Sequence, residues 1–438
     1  MARFRKRQPG SSRAEEALVM AILRDLKVVS ISLEVEDDAQ IIFETLNGRG
    51  AQLHATDLIR NYIFMRADRE QADPLGLYNS LWSEFESTYW SEEQRRGRLK
   101  KPRLEWLIHS SLQAELHEDV DLARIYHEYR RFATEAKHPR TAEQQLLVLN
   151  RYATHYKELV GGTGDSPIAR FGRQIADYDV TTLYPLALMI AASAATDAER
   201  AEMYGDLVSF LVRRAVCGLT SKNYNNVFQG LLKQLHAGGI TPTTLRTLMQ
   251  ASTGDISRWP ADAEFRNACL TAALYPGRLD AGKAKAMLAE LERGLRTGVR
   301  PEEAFVGGLD HLDVDHILPQ SWYAYWLLRD DSAVPLEEAS EVELIVRSGL
   351  PLNERQRLIA DRQAAVRNLG NLTLLNLSVN RQAQHHAFTE KRDLLIANTN
   401  LRLNIPLIPL AAWDETGIAT RGQQLTETAL RLWPGPRP

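Results

Sequence analysis

The stretch His311-Leu-Asp-Val-Asp-His-Ile-Leu-Pro319 alternates apolar and polar side chains, the period of a β-strand whose residues project to opposite faces. Leu312, Val314 and His316 share one face and Asp313 and Asp315 the other, and Pro319 ends the run. A charged, helix-prone excursion follows from about Asp330 to Arg367. The chain then returns as Asn368-Leu-Gly-Asn-Leu-Thr-Leu-Leu-Asn376, a second short strand. Ser378 or Asn380 is placed to cap a helix running on through Phe388, Lys391 and Leu394. Strand, excursion, strand and helix lay out one compact site.

The chemistry carried by the ends of these elements is specific. Asp315 and His316 close the first strand, Asn371 opens the second, and Asn380 stands nine residues later. A carboxylate and an amide oxygen are hard ligands suited to Mg²⁺ or Mn²⁺, with coordination positions left for water and a phosphate. An imidazole beside them can take a proton from an attacking water. Together these are the parts needed to hydrolyse a phosphodiester. Asp313 and His311 read as solvated residues, Asn376 as a turn residue, and His385 and His386 as a solvated helix face, the alternative being that one of them approaches the metal or a phosphate.

Asp315-His316-Ile-Leu-Pro319, Leu369-Gly-Asn-Leu-Thr-Leu-Leu375 and Asn380 resemble the ββα-metal, or HNH (His-Me finger), nucleases. With Phe388 and Lys391, the run is similar to the C-terminal nuclease domain of GmrSD-type modification-dependent restriction enzymes, which phosphorothioate-sensing SspE-type proteins share. The resemblance implies His316 as general base, Asp315 and Asn380 as metal ligands, and Asn371 as the residue that braces the loop and orients the histidine. A second resemblance lies upstream. Ile41-Ile-Phe-Glu-Thr-Leu-Asn-Gly-Arg-Gly50, Leu53 and Asp57-Leu-Ile-Arg-Asn-Tyr-Ile-Phe64 look like the end of that family's ParB-like N-terminal domain. The family's upstream Asp-Gly-Gln-Gln-Arg motif, tied to nucleotide hydrolysis, has no counterpart here, so the chain reads as truncated relative to the family. Gly161-Gly-Thr-Gly164 lacks the Lys-Ser/Thr of a P-loop and reads as a plain loop.

Between these ends, helical periodicity dominates. Trp82, Phe85 and Tyr89, and Tyr126, Tyr129 and Phe132, recur at helical spacing and are expected in a core. Helices are expected over Ala14 to Leu26, Asp37 to Leu46 and Asp57 to Arg66, the last capped by Thr56, and a strand over Lys27 to Leu33. Lys and Arg (53) nearly balance Asp and Glu (56), so charge alone names no polyanionic partner. Locally, Arg367, Arg381, Lys391 and Arg392 give the second half of the site a positive excess suited to nucleic-acid backbone. Arg95-Arg-Gly-Arg-Leu-Lys-Lys-Pro-Arg103 is a second basic run, read first as a solvated loop and otherwise as a nucleic-acid contact. Two distant cysteines exclude a disulfide framework, and no apolar run reaches the ~20 residues of a membrane span.

The expected protein is mainly α: a ParB-like remnant (1–68), a large helical region (69–300), and a small α+β ββα-metal, HNH-like nuclease module (301–438). It is expected to be a cytoplasmic, Mg²⁺- or Mn²⁺-dependent endonuclease cutting DNA, including modified DNA, in bacterial defence. A homodimer or a partner restriction subunit is the expected assembly. Two alternatives stay open: a non-catalytic DNA-binding or regulatory subunit, and a nuclease directed at RNA.

Overall fold

The computed structural model describes residues 14–25, 27, 54–135, 140–296, 308–309, 311–376 and 387–436. The described chain is mostly helical, with four short strands in two antiparallel pairs. Among the described residues no helix is long and apolar enough to cross a membrane. Two units are distinguished, residues 1–60 and 61–438. In the first, α1 spans Ala14–Arg24, and α2 (Ala55–Arg69) begins with Asp57 in its first turn, where the helix dipole favours a negative charge. The strand expected over Lys27–Leu33 (beyond Lys27 itself), the helix expected over 37–46, and Asn47 and Gly50 lie outside the described residues.

The second unit begins within α2, and after short helical turns between Pro74 and Ser91 the basic run forms most of a hairpin, β1 (Glu93–Arg96) and β2 (Leu99–Pro102). Gly97, at φ +58°, makes the turn that a side chain would resist. The run is therefore an ordered hairpin, not the solvated loop the composition suggested. Carboxylates flanking the run on either side partner its cations: Lys100 pairs with Glu93, Lys101 with Glu105 and Arg103 with Glu92. The Arg96 guanidinium lies over the Trp106, Tyr156 and Tyr184 rings, at 4.7, 5.7 and 4.8 Å from their centroids.

Among the described residues, nine α-helices follow: α3 (Arg103–Leu116), α4 (Ile125–Glu135), α5 (Ala142–Gly161), α6 (Pro167–Ile175), α7 (Tyr184–Ala192), α8 (Asp197–Val216), α9 (Tyr224–Gly238), α10 (Pro242–Gln250) and α11 (Asp262–Thr271). Thr141 and Thr196 start α5 and α8 with reciprocal capping boxes to Gln144 and Glu199. The α7 sequence Pro185-Leu-Ala-Leu-Met-Ile-Ala191 is apolar on every side, so it is buried throughout and packs on α3, α5 and α9. Trp82, Phe85, Tyr126 and Tyr129 are buried, as the spacing predicts, although Trp82 to Tyr89 winds through short helical turns rather than one helix.

The C-terminal module is built on β3 (Leu312–His316) and β4 (Leu372–Asn376), antiparallel, with Asp315 opposite Thr373 and His316 opposite Leu372. The excursion between them is two helices, α13 (Leu336–Arg347) and α14 (Glu354–Val366), the second started by an Asn353 capping box. Ile317, Leu318, Trp322, Ile359, Leu375, Phe388 and Trp413 share its core. Helix α12 (Ala281–Arg296) packs on both strands, and its buried Glu292 accepts the backbone N–H groups of Arg402 and Leu403 at 3.0 and 2.9 Å. Among the described residues two helices complete the module, α15 (Phe388–Asn398), with Ala387 at its N-cap, and α16 (Glu415–Leu432); the expected cap residues Ser378 and Asn380 lie outside the described residues.

Helix α16 crosses the start of β4 so closely that the fold dictates Gly370. A Cβ there would stand 1.9 Å from the Ile418 carbonyl oxygen. Gly370→Ala is expected to destabilise the protein by about 1–3 kcal/mol through overpacking, read as a lowered urea midpoint. Gly422→Ala, inside the facing helix, meets nothing nearer than 3.6 Å and is expected to hold or raise the midpoint, since Ala favours a helix interior over Gly by about 0.5–1 kcal/mol.

Candidate active site

Strand β3 delivers Asp315 and His316 in succession, so pleating sends their side chains to opposite faces. The His316 ring is buried, 7% exposed, and its Nε2 lies 2.9 Å from the Tyr275 carbonyl oxygen. A carbonyl only accepts, so Nε2 carries a hydrogen, and in the neutral ring Nδ1 holds the lone pair. The Tyr275 ring stacks on it, centroids 5.6 Å apart and planes 18° from parallel. Burial pushes the His316 pKa below its ordinary range, against the Tyr275 hydrogen bond and the Asp315 charge, which favour the imidazolium.

Asn371 is wholly buried and makes four side-chain hydrogen bonds. Its Oδ1 accepts from the Leu318 backbone N–H at 2.8 Å and the Trp413 indole at 3.0 Å. Its Nδ2 donates to the Leu318 and Val366 carbonyls, both at 2.8 Å. Its own carbonyl accepts from Ile317 at 2.9 Å. Asn371 thus clamps the two residues that follow His316. The carbonyls on either side of Asn371, Gly370 and Leu372, accept from Arg421 at 2.6 and 2.8 Å. That guanidinium is buried without a carboxylate among these bonds, and burial alone pushes its pKa down to about 9.

Asp315 is paired with Lys391, whose Nζ stands 2.9 Å from Oδ2 and 2.6 Å from the His316 carbonyl. Lys391 is 3% exposed, which corrects its expected place on a nucleic-acid-contacting surface: helix α15 turns it inward onto the carboxylate. Arg367 is exposed, and Arg392, half-buried, donates to the Leu410 carbonyl and pairs with Asp393. Asn380 and Arg381, with His385 and His386, lie outside the described residues. Asp313 and His311 are exposed, as expected.

The structure therefore brings His316, Asp315, Asn371 and Lys391 to one strand end. Among the described residues, no group of three or more His, Cys, Asp or Glu side chains is placed to hold a metal ion. A cleft of about 350 Å³ lies against α13 and α14, lined among others by Ala273, Gln320, Tyr323, Gln363 and Arg367, and Asp315, His316, Asn371 and Lys391 do not line it. Sequence reasoning missed Tyr275, Trp413 and Arg421. The only trace of the first was the Tyr275-Pro-Gly277 punctuation.

Residues 259–428 match the family of GmrSD restriction endonucleases, C-terminal domain. The match takes in both strands, the helices around them and the Tyr275 segment that holds His316. Similarity to a GmrSD domain supports a restriction-endonuclease role for this region, with DNA as substrate and hydrolysis as the reaction class. No curated protein matches the chain.

Proposed function

We propose that this GmrSD-like region is an HNH-type, divalent-metal-dependent endonuclease that hydrolyses DNA phosphodiesters in defence against foreign DNA. The observation that carries the reading is His316: a buried imidazole whose Nε2–H is spent on the Tyr275 carbonyl, which leaves Nδ1 of the neutral ring as the proton acceptor. In this reading His316 takes the proton from the attacking water, and Asn371 holds the backbone beyond it so that the ring keeps its orientation.

The donor chemistry fits a hard dication in part. Asp315 offers a half-buried carboxylate oxygen, and Asn380, on sequence grounds, an amide oxygen. A bound Mg²⁺ or Mn²⁺ would stabilise charge on the phosphoryl oxygens and the leaving alkoxide. One module carries one such site and nicks one strand, so a double-strand break calls for two copies or two encounters.

A supercoiled-plasmid assay tests the reading. Nicking is expected with Mg²⁺ or Mn²⁺, to disappear in EDTA, and to be lost in Asp315→Ala with the metal present. Undiminished nicking in EDTA would remove the metal from the mechanism.

A further inference from the structure

We propose that Lys391 keeps the Asp315 site electrically neutral, so that a divalent cation is taken up together with a DNA phosphodiester and not ahead of it. This rests on the endonuclease reading above and adds an order to it.

The argument starts from where the ammonium sits. Lys391 projects from the start of α15, is 3% exposed, and directs two of its three donors at Asp315 Oδ2 (2.9 Å) and the His316 carbonyl (2.6 Å). It is a fixed part of the site and not a surface cation that swings away. Asp315 Oδ1 has no partner among the described residues, and the side chain keeps 13% of its exposure, so one oxygen faces outward.

Charge then decides the order. Asp315 and Lys391 cancel, and the His316 ring turns its Nε2 to the Tyr275 carbonyl. Asp313, two residues along the strand, is exposed to water, which screens it. A dication approaching Oδ1 meets a single carboxylate already shared with a buried cation, and the ammonium repels it at low local dielectric. A phosphodiester brings the missing negative charge and supplies oxygen ligands at once. By linkage, the cation and the DNA each raise the other's affinity by the same factor.

The test uses the full chain and two titrations. Free Mn²⁺ is followed by electron paramagnetic resonance with wild type, Lys391→Gln, Lys391→Arg and Asp315→Asn, without DNA. Anisotropy of a fluorescein-labelled duplex is then measured in EDTA and in Ca²⁺, which takes the same oxygen ligands. Lys391→Gln is expected to bind Mn²⁺ about tenfold tighter than wild type, while Lys391→Arg, which keeps the charge, stays weak. Ca²⁺ is expected to tighten duplex binding about tenfold in wild type and about threefold or less in Lys391→Gln. A lysine that served only the fold would leave Mn²⁺ affinity unchanged or weaken it on removal, and either result overturns the proposal. If Lys391→Gln fails to fold, wild-type duplex affinity that is the same in EDTA and Ca²⁺ overturns it independently. Metal binding insensitive to Asp315→Asn would instead overturn the endonuclease reading itself, a separate outcome from Asp315-dependent binding that lacks the coupling.

Discussion

His316→Ala is expected to bind duplex DNA as wild type does and to nick it about a hundred- to ten-thousand-fold more slowly, the range for loss of a positioned general base. The pH profile should carry the mark of burial. Burial holds the His316 pKa below its ordinary 6.5, so the ring is neutral, and able to accept a proton, into mildly acidic solution. The rate is therefore expected to stay flat above about pH 6.5 and to fall only as pH drops through the lowered value. The same shift has a stability consequence of defined sign. The unfolded chain takes up the proton first on acidification, so the contribution is complete above the unfolded value and is lost as pH falls through the folded one. A nicking rate that declined from pH 8 downward would contradict this placement of the base.

Asn371→Ala is expected to cost about 3–5 kcal/mol of stability, large for a single substitution, because each buried polar group left unpaired costs about 1–3 kcal/mol. Truncation strands the Leu318 N–H and carbonyl, the Val366 carbonyl and the Trp413 indole in a place without solvent access. Asn371→Asp discriminates this account from a loss of volume. The aspartate keeps one oxygen for Leu318 and Trp413 but turns the other against two carbonyls, so it is expected to be as damaging as alanine despite its shape. Urea denaturation of the three proteins measures the effect, and a benign Asn371→Asp would contradict the hydrogen-bond assignment.

How much of this could be read from the sequence depended on whether the signal was local. His316, Asp315 and Asn371 lie at the ends of two short strands whose alternation is visible in a few residues, and the register Asp315–Thr373 and His316–Leu372 brings them together. The acceptor that sets the tautomer of His316 is a backbone carbonyl 41 residues earlier, and a carbonyl leaves no mark on composition. Lys391 counted as one more positive charge; only the packing of α15 shows that its charge is spent internally. The basic run 95–103 misled in the same way, since Glu92 and Glu93 lie just outside it and Glu105 just beyond. Gly370 was legible as a motif letter, but its reason, the crossing of α16, is tertiary.

The strand end leans on what precedes it. Tyr275 holds His316, the Leu270 carbonyl accepts from Asn368, and Glu292 secures the segment at 402–403. A recombination event that moved only residues 301 onward into another gene would carry the strands but leave behind three of their anchors. The heritable cassette is the longer one, which sets where a breakpoint can fall and still deliver a working part.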